Sequence, residues 1–327
     1  MSSKLYIDNM ICDLDTIKAQ SQIPASMFTS TTWETQTVAA TKAARLRCSS
    51  QPKVVTGPRK SLCLPLLCGL GDIASVFIVR QESPWDTYRG VLTYEIAGKV
   101  TIATRRTRPS RMVAIRRYQR QNAQRLICKF GRLEHLNVLS LHECYMHGEL
   151  AYFLVDDLPL TLAFVVVSPT IYPNEAELGS IMCQILDGAC YLSLFGLAHQ
   201  SLACDEILFG IDGSLKIACL ELCVDCTSQQ SEAAYIAALP SITMRLMQKF
   251  DKDDGVVGVN DLERWPIGSA AVDFLSATET ARSIDCLRDQ PLVAAKHRPK
   301  DDLVLLARAA LLSCSVNCIY NLESDKH

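Results

Sequence analysis

The stretch Asn174 to Glu221, NEAELGSIMCQILDGACYLSLFGLAHQSLACDEILFGIDGSLKIACLE, constrains this 327-residue chain more than any other part. Asn174 is a good N-cap with Glu177 three residues on. Leu178, Ile181, Met182, Ile185, Leu186 and Ala189 then recur at helical spacing until Gly196 stops the run. This predicts a buried amphipathic helix. After the loop Leu197 to Glu206, the apolar runs Ile207-Leu208-Phe209 and Leu215-Lys216-Ile217-Ala218 flank Asp212-Gly213, a dipeptide that tolerates the positive φ angles of a tight hairpin turn. The loop is thus held between two rigid elements.

Upstream, Val91-Leu92-Thr93-Tyr94, Val100-Thr101-Ile102-Ala103 and Met112-Val113-Ala114-Ile115 predict three strands of an antiparallel sheet. Gln121 to Leu133 has helical character, and Leu150 to Leu162 passes from a strand into an acidic turn.

A helix ending at a Gly-Leu-x-His loop, followed by an Asp-Gly hairpin, resembles the catalytic segment of eukaryotic protein kinases. In that family the loop reads His-Arg-Asp-Leu-Lys-x-x-Asn and the strand after the hairpin ends in Asp-Phe-Gly. Here those positions read His199-Gln200-Ser201-Leu202-Ala203-Cys204-Asp205-Glu206 and Cys219-Leu220-Glu221. The resemblance therefore implies the frame without the chemistry. Ser201 stands at the catalytic base, Glu206 and Cys219 at the two metal ligands, and His199 at a mainly structural position. Val113-Ala114-Ile115-Arg116 resembles the Val-Ala-Ile-Lys strand with Arg116 in place of lysine. Aligning Gly98-Lys99-Val100 with the end of the Gly-rich loop puts Thr93 and Glu95 where the first two glycines belong. Glu134-His135-Leu136-Asn137-Val138 resembles the His-Pro-Asn-Ile connection, and Leu150 to Leu162 the hinge between lobes, with Asp156 and Asp157 solvated near the cleft mouth. The implied vestigial nucleotide cleft comprises Gly98, Val100, Ala114, Arg116 and Asp156. No Asp or Glu occurs between Ile96 and Leu133, so the preceding helix offers no glutamate to Arg116.

About 17 residues separate Glu221 from Ala238 to Met247, which resembles the family's buried helix, and no Ala-Pro-Glu occurs between them. The activation segment is thus expected to be truncated. Ala271 to Leu275, Arg282, Leu287 and Pro291-Leu292 resemble the closing helices, and Leu303 to Leu312 predicts one further apolar helix packed against the rest. The implied fold is α+β and two-lobed, with a small antiparallel β lobe (86–157), a mainly helical lobe (158–295), a disordered N-terminal tail (1–85) and a C-terminal helical tail (296–327).

Eleven Lys or Arg fall between Lys99 and Arg132. With 33 basic and 35 acidic residues in the whole chain, the remainder holds 22 against 35. A face carrying Arg105, Arg106, Arg108, Arg111, Arg117 and Arg120 could contact an anionic surface, although only Tyr118 and Phe130 interleave it, a poor stacking platform for single strands. An apolar content of 49% is ample for a packed core. The start MSSKLYIDNM lacks the apolar run of a secretory signal, and Pro65, two glycines and Asp72 interrupt the apolar stretch Ser61 to Val79, so no transmembrane segment is expected. Fifteen cysteines without a signal favour reduced thiols in a cytoplasmic or nuclear setting. Cys219, Cys223 and Cys226 include one C-x-x-C but no fourth ligand for structural zinc, and a Ser201–His199 nucleophile pair lacks its surrounding elbow.

The expectation is a catalytically inactive kinase-like module that binds a protein partner, with no cofactor required and no metal. Two alternatives remain open. One is an atypical ATP-binding protein or weak serine/threonine kinase, taking ATP without magnesium; the other is a structural remnant.

Overall fold

The computed structural model describes residues 66–67, 77–131, 133–294 and 299–313. Most of the expected N-terminal tail lies outside them, as do the side chains of Arg108 and Arg111. A seven-stranded mixed sheet comes first. Its strands are β1 (Leu66–Leu67), β2 (Ile78–Arg80), β3 (Tyr88–Glu95), β4 (Lys99–Arg105), β5 (Arg108–Gln119), β6 (Leu141–His147) and β7 (Leu150–Val155), in the order β1-β2-β6-β7-β5-β4-β3. The three expected strands are β3, β4 and β5, paired antiparallel. Two features differ from expectation. β2 joins the sheet from within the expected tail and runs parallel to β6, so the sheet is mixed; a short helix, Pro84–Thr87, follows where a boundary was expected. Three residues are too short for any periodicity to register.

The basic helix, Arg120–Phe130, packs Ala123, Leu126, Ile127 and Phe130 under the sheet. Beyond β7 comes β8 (Leu160–Thr161), then the central helix, Glu175–Leu194. Its N-cap is the expected one: the Glu177 amide donates to Asn174 and the Asn174 amide returns to Glu177. Leu178, Ile181, Met182, Ile185, Leu186 and Ala189 are each no more than 1% exposed. Ser180, Gln184, Gly188 and Ser193 are buried too, so the helix is jacketed nearly all round.

After it come β9 (Leu197–His199), β10 (Ile207–Phe209), β11 (Leu215–Ile217) and β12 (Cys223–Asp225). β10 and β11 form the expected hairpin, with Gly213 at φ +82°; β8 pairs on the far side of β10, and β12 pairs with β9. A buried polar network ties the hairpin to the central helix. Asn137 Nδ2 donates to Gln184 Oε1 (2.9 Å) and the Leu215 carbonyl (3.0 Å), and Gln184 Nε2 donates to the Gly213 carbonyl (3.0 Å). With every partner present, such a network specifies one register for the hairpin.

The long helix Ser228–Gln248 starts ten residues before the expected Ala238, capped by Thr227 with Gln230. Cys226 and Thr227 alone separate it from β12. Ala270–Thr280 holds the expected Ala271, Phe274 and Leu275 in the core. In residues 299–313 a short helix, Pro299–Asp302, and a helical stretch over 304–313, where an apolar helix packed against the rest was expected, bury Leu303, Leu306, Ala307 and Ala310 in the same cluster as the central helix. This α+β arrangement is compatible with the two-lobed expectation.

Candidate functional site

The cleft positions are held by three elements: the β3–β4 turn, β5, and Cys219, two residues past the end of β11. Ile96-Ala97-Gly98 makes the turn, with Ala97 at φ +47° and Gly98 at φ +94°. Arg116 on β5 stands across from Val100 on β4 and points inward, as β5 alternation requires. It is 4% exposed. One guanidinium nitrogen donates to the Ala97 carbonyl and another to the Ile96 carbonyl at 2.9 Å. Cys219, at φ +50°, directs its thiol at the same Ala97 carbonyl (3.3 Å). Burial pushes that thiol up to about 12, with Glu221 adding to the effect and Arg116 opposing it. Sequence reasoning grouped Gly98, Val100, Ala114, Arg116 and Asp156 in the cleft and put Cys219 at a metal-ligand position; in the fold the Arg116 guanidinium and the Cys219 thiol meet at the Ala97 carbonyl beside Gly98. What that reasoning missed is that they close on each other: Val100, Ala114 and Cys219 are all buried.

Tyr118 and Glu221, which the motif comparison did not single out, complete this centre. Burial, then the Glu221 charge, raise the Tyr118 phenol, and burial raises the Glu221 carboxyl. Arg116 Nε and Glu221 Oε2 are both buried without a hydrogen-bond partner. Two lone orphaned atoms at one centre mark it as the polar weak point of the core.

The loop residues do other work. His199 is buried; its Nε2–H donates to the Ala218 carbonyl (3.2 Å), and its Nδ1 accepts from the Ser201 amide (3.4 Å). Burial lowers its pKa, so the neutral ring serves as a brace. The Ser201 side chain is exposed. Glu206 Oε2 accepts from the Ala203 amide (3.0 Å), and burial raises its carboxyl. The loop is anchored from the long helix: Ser231 Oγ and Tyr235 Oη both donate to the Leu197 carbonyl (2.5 and 3.0 Å).

Asp156 is not the solvated hinge residue expected. It accepts from the Ser140 amide (2.9 Å), His142 Nε2 (3.0 Å) and Lys216 Nζ (3.0 Å), tying the sheet to β11. Its burial opposes ionisation, but the His142 hydrogen bond and the Lys216 charge prevail and hold the carboxyl well below the usual range. Asp157, expected to be solvated as well, is exposed. Local sequence could not reveal Lys216, sixty residues from Asp156.

The hydrogen bond to Asp156 raises His142 above its ordinary value, against partial burial. A raised folded-state pKa contributes stability that is present below the unfolded value, about 6.5, and lost as pH rises through the folded value. The stability difference between the wild-type protein and His142→Gln is expected to shrink from pH 5.5 to 8, by at most about 1 kcal/mol at this half-exposed site. Urea midpoints measured across that range check it; a flat difference would refute the pairing.

Of the basic face, Arg105, Arg106, Arg117 and Arg120 are exposed. Arg106 Nε donates to the Trp85 carbonyl (3.0 Å) and Arg120 to the Gly148 carbonyl (2.9 Å). Arg125 bonds the Cys223 carbonyl, and Lys129 pairs with Asp225, so the basic helix is fastened to β12. Among the described residues, no disulfide joins the nine cysteines, no group of three or more His, Cys, Asp or Glu could hold a metal, and no helix is long and apolar enough to cross a membrane.

No family model matches the chain. Cyclin-dependent kinase F-3 of Oryza sativa subsp. japonica is 25% identical over 138 residues, which is 40% of this chain and 32% of the rice protein. The match hints at a kinase-like domain. The aligned part spans about a third of that relative's own length.

Proposed function

We propose that the chain is a kinase-like interaction module that has given up phosphoryl transfer, its nucleotide cleft closed by its own Arg116. The observation that carries this is the double capping of the Ile96 and Ala97 carbonyls by one buried guanidinium. A turn that must lay its amides over phosphates is instead anchored, through its carbonyls, to the residue that would attract them. Magnesium chemistry does not fit the residues present. A thiol at Cys219 is a poor ligand for so hard a cation, and Glu206 is engaged by the Ala203 amide. With a serine at the base position and only six residues, 222–227, between Glu221 and the long helix, the requirements for orienting and stabilising a transferred phosphoryl group fail together. The function that remains is recognition of a protein partner by the folded surface.

One observation favours the second reading, metal-free nucleotide binding: Arg116 Nε is buried and unpartnered, a donor that an anion could use. A thermal-shift titration with ATP, with and without magnesium, separates the two. A ligand at 100 times its Kd stabilises the folded state by about 2.7 kcal/mol. No shift is expected at millimolar ATP, and no labelled γ-phosphate should reach the protein or generic substrates. Turnover that Arg116→Ala abolishes would overturn the proposal.

A further inference from the structure

The centre shared by Arg116 and Glu221 holds a donor and an acceptor that are both idle. The terminal nitrogens of Arg116 are spent on the Ile96 and Ala97 carbonyls, which leaves its buried Nε–H without an acceptor, and the buried Glu221 Oε2 has no donor. Each orphan leaves a desolvation cost that a partner would offset. The two groups are of opposite charge and feel each other: Arg116 opposes the rise that burial imposes on the Glu221 carboxyl. They are also neighbours through one carbonyl. Arg116 and the Cys219 thiol share the Ala97 oxygen, and Glu221 follows two residues later, in the 3-10 turn Leu220–Leu222. Two residues span at most about 7 Å, so the carboxylate stands within the sweep of the arginine side chain.

Backbone strain surrounds the same contact. Ala97 is held at φ +47° and Cys219 at φ +50°, in the left-handed region that side chains disfavour. Of the three non-glycine residues with positive φ among the described residues, two therefore meet where the thiol reaches the Ala97 carbonyl. Strain of this kind persists only where neighbouring contacts enforce it, and it collects at switch regions. The titratable groups facing the guanidinium are Tyr94 from β3, Tyr118 from β5, and Cys219 and Glu221 beyond β11. Burial pushes the Tyr94 phenol and the Cys219 thiol up to about 12 and raises the Tyr118 phenol as well, so none of these three supplies a negative charge. The carboxyl of Glu221 is the group left to attract the guanidinium.

We propose that Glu221 is a second seat for the Arg116 guanidinium, so that the closed cleft is one state of a latch. Seated on the Ile96 and Ala97 carbonyls, Arg116 shuts the β3–β4 turn; seated on the Glu221 carboxylate, it satisfies both idle atoms and frees the turn. The latch rests on the reading that Arg116 closes the cleft, and adds the means of releasing it. A partner that grips the freed turn would draw Arg116 to Glu221.

Maleimide labelling of the native full-length chain, read thiol by thiol by mass spectrometry, tests this. The buried Cys219 becomes accessible when the turn is free, and the buried Cys204 reports opening of the whole fold. Glu221→Gln keeps the shape and removes the charge of the second seat, and it is expected to slow Cys219 labelling about fivefold relative to Cys204. Exchange of the Ile96 amide, which donates to the Gly98 carbonyl (3.1 Å), should slow in parallel. Loss of the Glu221 charge by itself makes the thiol easier to ionise and would speed labelling, so slowing reports the latch and not the reactivity of the thiol. In Arg116→Met neither seat is occupied: Cys219 labelling should accelerate, and adding Glu221→Gln should no longer slow it. Unchanged labelling in Arg116→Met would mean that Arg116 does not close the cleft, and the underlying reading goes with the latch. Acceleration in Arg116→Met with no slowing in Glu221→Gln, or equal slowing of Cys219 and Cys204, would overturn the latch alone. Should Arg116→Met fail to fold, the thiol and amide rates of Glu221→Gln decide by themselves.

Discussion

Gly213→Val is expected to destabilise the protein by about 4 kcal/mol, read as a drop in the urea unfolding midpoint. Gly213 sits at φ +82° in the β10–β11 turn, where a Cβ would stand 1.8 Å from the Lys300 carbonyl oxygen and 3.2 Å from Leu303. Placing a β-branched residue in this left-handed conformation costs roughly 1–2 kcal/mol by itself. The carbonyl is backbone, so it moves only if residues 299–302 move, and with them goes the fully buried Leu303. Exposing a leucine of that kind loses a further 1.5–3 kcal/mol or so. Leu303→Ala should cost about 2–5 kcal/mol by the cavity it leaves. Because both substitutions act on one contact, their combined effect should fall well short of the sum. A Gly213→Val protein within about 0.5 kcal/mol of wild type would mean that 299–313 does not dock on this turn.

Arg116→Glu is expected to cost about 3–5 kcal/mol or to prevent folding, because it buries a carboxylate against the Ile96 and Ala97 carbonyls and near Glu221. Arg116→Met keeps most of the packing and removes the donors, and should cost about 1–3 kcal/mol. Arg116→Lys should not recover the wild-type value, since a point ammonium cannot span two carbonyls as the planar guanidinium fork does. The checks are unfolding midpoints and the amide-exchange rate of the β3–β4 turn. If Arg116→Glu is as stable as wild type, Arg116 is not closing the cleft.

What could be read from residues alone divides along a physical line. The central helix, its Asn174–Glu177 cap and the Asp212-Gly213 hairpin were legible because each is written in local spacing and turn chemistry. Strands β3 to β5 were legible for the same reason. β2 was not: it is three residues long, and its place in the sheet depends on pairing with Glu143, Cys144 and Tyr145, more than sixty positions on. The start of the long helix was missed because Ser228-Gln229-Gln230 looks like loop until Thr227 and Gln230 are seen to cap each other. In the site, residue identities gave the absences, namely no glutamate for Arg116 and no aspartate at Ser201. They could not give the closure, since Arg116, Ala97 and Cys219 meet only when three separate elements converge.

The two-residue joint at Cys226-Thr227 has a mechanical consequence. Fully extended, two residues span about 7 Å, so β12 and the helix beginning at Ser228 have no slack between them. β12 is hydrogen-bonded to β9 on one side and fastened to the basic helix through Arg125 and Lys129. A force applied to the long helix is therefore delivered, without a spring in the line, through β12 to β9 and to the basic helix that packs under the interior strands of the seven-stranded sheet.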